Sequence, residues 1–192
     1  LDEAGKIQSL AKGSQDQLAG ALRLGVIPTI GPYLLPELVP ILRGKAPAMP
    51  LMIEENFTGN LVPMLRDGEI DAAIIALPFT VTGVQTRTLY EEPFSVVVPE
   101  GHAWARKKRV RPDELAGEDL LVLNAGHCFR EQVLEACPGQ LNTANPEGRS
   151  GSSLETIRNM VASGLGVSVL PATALQARYG SRLVKEIPFA AP

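Results

Sequence analysis

Cys128 and Cys137 are the only cysteines in the chain, nine positions apart in the run GHCFREQVLEAC. Thiols so close in sequence can do redox chemistry: a thiolate attacks a peroxide oxygen, becomes a sulfenic acid, and condenses with a second thiol. The run otherwise reads as one helix. At about 100° and 1.5 Å per residue, nine steps put the sulfurs on opposite faces, roughly 13 Å apart. A disulfide tolerates at most about 7 Å between Cα atoms. The pair therefore cannot bond while the helix stands, and bonding it refolds the segment. That is the geometry of a switch. A disulfide closing a loop of this size constrains the unfolded ensemble by roughly 2–3 kcal/mol, which can hold a refolded form.

The neighbours fit such chemistry. Cys128 follows Gly126 and His127 at the helix start, where backbone N–H groups and the helix dipole stabilise an anion. Arg130, two residues on, adds positive charge. His127 serves either as an acid or base or as an orienting residue for the loop, because sequence neighbours point apart on a helix. A sulfenic acid on Cys128 has one candidate thiol to resolve it, Cys137. Against this stands the plainer reading, two small buried hydrophobes, which is how most free cysteines behave. Residue types alone lean towards the plainer reading.

Elements that must position these residues alternate between strand and helix patterns. Residues 1–20 read as the tail of a linker helix running into a flexible joint. LRLGVI is a strand, and PTIGPYLLPELVPILR a helix begun by Pro32 with Leu34, Leu35, Leu38, Ile41 and Leu42 as its apolar face. Pro36 and Pro40 count against that helix. Strand LMIEEN, a helix from Thr58 to Asp67 with Thr58 as N-cap, a stop at Gly68 and strand IDAAIIAL follow. Two βα units and a third strand indicate a parallel sheet flanked by helices. The stretch 86–98 gives two strand-like runs around Glu91, Glu92 and Pro93, where a turn or domain crossing fits. After a loop-rich 99–118, strand LLVLN leads into the cysteine helix. Beyond a loop at 138–151, Ser152 and Glu155 form a capping box opening the helix LETIRNMVASG, which Gly164 stops. Strand GVSVL, a short helix ATALQARY and strand RLVKEI complete an α/β chain of two small domains: 1–20 linker and hinge, 21–91 first subdomain, 92–192 second subdomain. Ligands collect beyond the carboxyl ends of strands in such sheets, which points to the loops 27–32, 55–60 and 124–128.

Composition narrows the classes. With 45% hydrophobic and 20% charged residues and a net charge of −3, the chain resembles an ordinary globular protein without overall attraction to nucleic acid. No apolar run approaches the ~18 residues of a membrane span, and no signal peptide opens the chain, which fits a reducing cytoplasm where a disulfide is transient. The basic run RKKRVR at 106–111 reads as a solvated loop. The two histidines, His102 and His127, are widely separated and no CxxC is present, so no metal site is expected, nor any cofactor.

The whole set of motifs resembles a known family. GHCFREQVLEAC is similar to the redox loop of the peroxide-sensing LysR-type transcriptional regulators, the OxyR group. The resemblance extends in family order through LGVIPTIGPYLLPELVP, DGEIDAAIIAL, DELAGEDLLVLNAGHC and SSLETIRNMVASGLGVSVLPA, most of residues 20–175. It implies two Rossmann-like subdomains of the periplasmic-binding-protein kind with a ligand or redox cleft between them. It implies Cys128 as peroxidatic and Cys137 as resolving cysteine, His127 and Arg130 flanking and polarising the sulfur, and Thr29 and Thr58 binding peroxide. The implied partners are hydrogen peroxide, further copies in a homodimer or homotetramer, promoter DNA through an N-terminal domain outside this chain, RNA polymerase, and glutaredoxin or thioredoxin as reductant. Two departures stand out. Glu131 occupies the place of the family's shorter Asp, and the chain stops at Pro192, before the strand and helix expected to complete the first subdomain. Rival readings are a LysR-type domain for an organic effector with incidental cysteines, a thiol peroxidase, and a periplasmic binding protein, which the redox loop opposes.

Overall fold

The computed structural model describes residues 18, 20–79, 81–137 and 149–190. Its backbone contacts gather into two units that divide after Val84, ahead of the 91/92 boundary read from the sequence. The linker helix expected at 1–20 and the loop up to residue 148 lie outside the described residues, apart from Leu18, Gly20 and the loop's last three positions.

In the first unit β1 (Leu22–Val26), β2 (Leu51–Glu55) and β3 (Ala72–Ile74) form a parallel sheet in the order β2-β1-β3. The two helices between them are α1 (Gly31–Lys45) and α2 (Thr58–Arg66). Leu24, Val26, Ile27, Tyr33, Leu61 and Ile70 make the core. Contrary to the sequence argument, Pro36 and Pro40 sit inside an unbroken α1. Pro32, Pro36 and Pro40 recur every fourth residue on the exposed face, so their rings and their missing N–H groups fall on the side of the helix turned to water. Ile41, assigned to the apolar face, is exposed. The helix, roughly 22 Å long, overruns strands of roughly 17 Å.

Thr58 is not the N-cap of α2. That position belongs to Phe57 in extended conformation (φ −68°, ψ 150°), and Thr58 is the first helical residue. Asn56 organises the entry instead: its Oδ1 accepts from the Phe57 N–H at 2.9 Å and from Asn60 Nδ2 at 2.7 Å. Gly68 (φ +71°) reverses the chain after α2, with the Glu69 N–H donating back to the Met64 carbonyl at 2.8 Å.

The second unit is a five-stranded mixed sheet of β4 (Phe94–Pro99), β5 (Leu120–Leu123), β6 (Ser150–Gly151), β7 (Val167–Pro171) and β8 (Val184–Pro188). Their order is β6-β5-β7-β4-β8; β5 runs parallel to β6 and β7, and β4 antiparallel to β7 and β8. The first strand-like run, 86–90, forms no strand; its Leu89 and Tyr90 are exposed. Alternation marks a candidate strand, but hydrogen bonds from a neighbour make one. The basic run lies around two 3₁₀ turns, Ala103–Arg106 and Pro112–Gly117. There Lys107 pairs with Glu114, and Arg111 with Asp113 at 3.0 Å. The expected helix ATALQARY is likewise two 3₁₀ turns, Ala172–Leu175 and Ala177–Tyr179.

Among the described residues this unit has two α-helices, α3 (Cys128–Ala136) and α4 (Leu154–Ala162). Leu154, Ile157 and Val161, spaced as one helical face, bury α4 against the sheet. The capping box expected of Ser152 and Glu155 does not form. Ser153 is the N-cap, its Oγ accepting from the Thr156 N–H at 3.1 Å, and Glu155 turns to Arg158 at 2.6 Å. Burial of Leu154 as the first helical residue sets that register.

Candidate functional site: a helix bounded by two cysteines

β5 is buried along its whole length and delivers its carboxyl end to the turn 124–127. Gly126, at φ +98°, makes that turn possible. His127 is the N-cap of α3 (φ −83°, ψ 119°), and its carbonyl receives the Arg130 N–H at 3.0 Å. Cys128 is thus the first helical residue, at the positive end of the helix dipole. It is partly exposed and unbonded.

Cys137, read from the sequence as part of the helix, stands one residue past its last helical position. It ends α3 as its C-cap (φ −125°, ψ 67°), and its N–H bonds the Val133 and Leu134 carbonyls at 3.0 and 3.3 Å. With Phe129 and Val133 it makes a stripe at four-residue spacing that faces the core, and it is 1% exposed. Its thiol is free, and burial pushes it up to about 11, so at neutral pH it holds its proton.

His127 is buried. Burial lowers its imidazole below the usual histidine value, opposed in part by a hydrogen bond to the Ser152 backbone. The ring is neutral at neutral pH, and its bond ties the turn before α3 to the turn before α4. Arg130 donates Nη1 to the Leu123 carbonyl at 2.8 Å, pinning the first turn of α3 to the end of β5. Its Nε lies 3.9 Å from the Glu131 carboxylate, which is 74% exposed and therefore well screened by water. That fixed charge stays in the first turn, but its bond to Leu123 is one the sequence offered no means of seeing.

α3 is thinly held. Phe129 meets Phe94 edge-to-face at 4.9 Å and 78°. Otherwise the helix leans chiefly on β5, whereas α4 lies across all five strands. A cavity of about 10 Å³ remains beneath it, lined by Phe129, Arg130, Val133, Leu121 and Ile157 among others, space for a single water. Elements with few packed neighbours open at low cost.

The two threonines belong to the first unit. β1 and β2 are parallel, so the turn carrying Thr29 and the start of α2 at Thr58 share the carboxyl edge of one sheet. Thr29 is buried. Thr58 Oγ1 is buried and has no hydrogen-bond partner, a state that typically costs about 1–3 kcal/mol.

Comparison with known proteins gives the chain a family. The LysR substrate binding domain model matches residues 15–192. A hydrogen peroxide-inducible genes activator of Pectobacterium carotovorum is 36% identical over 175 residues, 91% of this chain and 58% of that relative. The chain thus spans less than two thirds of the relative's length. The reduced OxyR regulatory domain of Pseudomonas aeruginosa superposes with a TM-score of 0.81 at 50% identity, covering 92% of this chain and 85% of that one. A cysteine-to-serine OxyR of Corynebacterium glutamicum, solved with hydrogen peroxide bound, gives 0.84 at 33% identity, over 98% of this chain and 59% of that one. The chain belongs to the LysR substrate-binding domain family and, within it, to the OxyR-type regulators.

Proposed function

We propose that this chain is the peroxide-sensing part of a LysR-type transcription factor, with Cys128 as the peroxidatic and Cys137 as the resolving cysteine. The observation that carries the reading is that these two thiols bound a single thinly held helix, with Cys128 partly exposed and Cys137 buried. The Cys128 thiolate attacks one peroxide oxygen. An S–O bond forms, the O–O bond breaks, and hydroxide leaves to take a proton as water. α3 then unwinds, and the Cys137 sulfur attacks the sulfenic sulfur. An S–S bond forms, the S–O bond breaks, and the departing oxygen leaves as a second water with the Cys137 proton. Two thiols and one peroxide give one disulfide and two waters.

His127 and Arg130 hold the turn and first helical residues in register in this reading, and Thr29 and Thr58 offer hydroxyls to peroxide. One peroxide is consumed per oxidation cycle, so the product is a conformation and not a turnover number. The complete regulator, as a homodimer or homotetramer in the cytoplasm, grips promoter DNA through an N-terminal domain, recruits RNA polymerase, and is reset by glutaredoxin or thioredoxin.

The test is intact mass and free-thiol count after one equivalent of hydrogen peroxide, on wild type, Cys128→Ser and Cys137→Ser. Loss of both thiols and about 2 Da in wild type alone, with a trappable sulfenic acid in Cys137→Ser, is the expected result. Thiols that survive in wild type sink the reading and leave an organic effector as the ligand to be sought.

A further inference from the structure

Several polar groups in the second unit have no part in the redox chemistry, yet they form one connected line. Arg158, buried in α4, donates Nη1 to both Glu155 carboxylate oxygens at 2.6 and 2.7 Å, and Nη2 to the Ala174 carbonyl. Ala174 lies in the 3₁₀ turn that follows β7. Its neighbour Thr173 donates its N–H, at 2.8 Å, and its hydroxyl to the Glu92 carboxylate. The Ala172 N–H donates to the Pro93 carbonyl at 3.0 Å. Glu92 and Pro93 end the segment 85–93, which contains neither helix nor strand and runs from the division after Val84 into β4. The 172–175 turn is therefore gripped by α4 on one side and by this connector on the other.

At its N-terminus α4 is tied to the redox turn. His127 bonds the Ser152 backbone, the Asn124 N–H donates to the Gly151 carbonyl at 2.9 Å, and Ser153 caps the helix. From the turn that precedes Cys128 to the connector, each step is a hydrogen bond or a packed helix. A buried guanidinium that loses an acceptor pays heavily in desolvation. Arg158 and the 172–175 turn must accordingly move together or part at a cost.

We propose that this line couples the redox state of α3 to the connector, with Arg158 as relay and Glu92 as output. When α3 unwinds to form the disulfide, the 124–127 turn lets go of Ser152 and α4's first turn shifts. The grip of Arg158 on Ala174 then loosens, and Glu92 releases Thr173. The inference rests on the disulfide reading above and adds to it where the signal leaves the second unit. Coupling free energy is reciprocal: if the disulfide loosens the latch, breaking the latch must favour the disulfide.

Two readouts on wild type, Glu92→Gln and Thr173→Val test this, each with free thiols counted. Amide exchange of Ala172 and Thr173, followed by NMR, should quicken about tenfold in wild type on oxidation, and Thr173 should already exchange fast in reduced Glu92→Gln. Equilibration with glutathione should shift about fivefold towards the disulfide in Glu92→Gln, and in the same direction but less in Thr173→Val, which keeps the backbone bond and guards against misfolding of the first variant. A disulfide that forms without change at Ala172 and Thr173, or the same glutathione equilibrium in all three proteins, overturns the relay and leaves the sensor standing. Failure of the disulfide to form overturns both.

Discussion

Cys128 begins the helix that Cys137 caps, so the eight residues between them, the remainder of α3, are what separates the two thiols along the chain. Neither sulfur can reach the other without undoing backbone hydrogen bonds that belong to that helix. In the proposed mechanism the cost of the disulfide step is the cost of one short helix with a small footprint on β5.

Native-state alkylation separates the two thiols. At pH 7.5 iodoacetamide should modify Cys128 first, with Cys137 slower by about two orders of magnitude because it reacts only after opening. Addition of 6 M urea, roughly an unfolding concentration, should equalise them. Peptide mapping reads the ratio, and equal rates in the folded protein would contradict the burial of Cys137.

Alkaline stability follows from the same burial. The folded state holds the Cys137 thiol up near 11, while the unfolded thiol ionises near its ordinary value of 9.0. The stabilisation this gives is complete below the unfolded value and is lost as pH rises towards the folded one. It amounts to on the order of 2–3 kcal/mol. Urea midpoints at pH 7, 9 and 10 should fall for reduced wild type, and less for Cys137→Val.

Thr58→Val separates binding from stability. Replacing a buried hydroxyl that has no partner with a methyl of the same shape should leave the urea midpoint unchanged or raise it, by up to about 1 kcal/mol. If Thr58 offers its hydroxyl to peroxide, the rate of Cys128 oxidation should fall about tenfold, the worth of one hydrogen bond at that step. A midpoint lowered by 2 kcal/mol, roughly the cost of losing a made bond, would show that the hydroxyl already has a partner.

The cap of α4 distinguishes adjacent serines. Ser153→Ala should cost about 1 kcal/mol, whereas Ser152→Ala should cost a few tenths at most, since its backbone and not its side chain bonds His127. Thermal unfolding of the two variants decides between them.

Much of this was legible in the sequence, because βα alternation and a cysteine pair are local patterns. Strands β1, β2 and β5, the stops at Gly68 and Gly164 and the start of α3 lie within a residue or two of where the pattern puts them. The failures have physical reasons. Pro36 and Pro40 count against a helix until the water-facing side they share with Pro32 is known. Thr58 and Ser152 have capping chemistry, but burial of Leu61 and Leu154 sets the helical register beside them. The run ending in Leu89 and Tyr90 has a strand's alternation without a neighbouring strand. The bonds of Arg130 to Leu123 and of Thr173 to Glu92 join residues by fold, the latter 81 positions apart, where no local pattern reaches.

In the proposed sensor the burial of Cys137 also gives the domain a sense of time. Cys128 meets oxidant at once, but its partner arrives only when α3 happens to open, so the interval between the two events is the waiting time of a helix. An oxidant pulse that ends sooner leaves a sulfenic acid that small thiols in solution can take back. A sustained one outlasts the wait and is recorded as a disulfide. The helix thus filters by duration, and its stability sets how long an oxidative episode must last before it is registered.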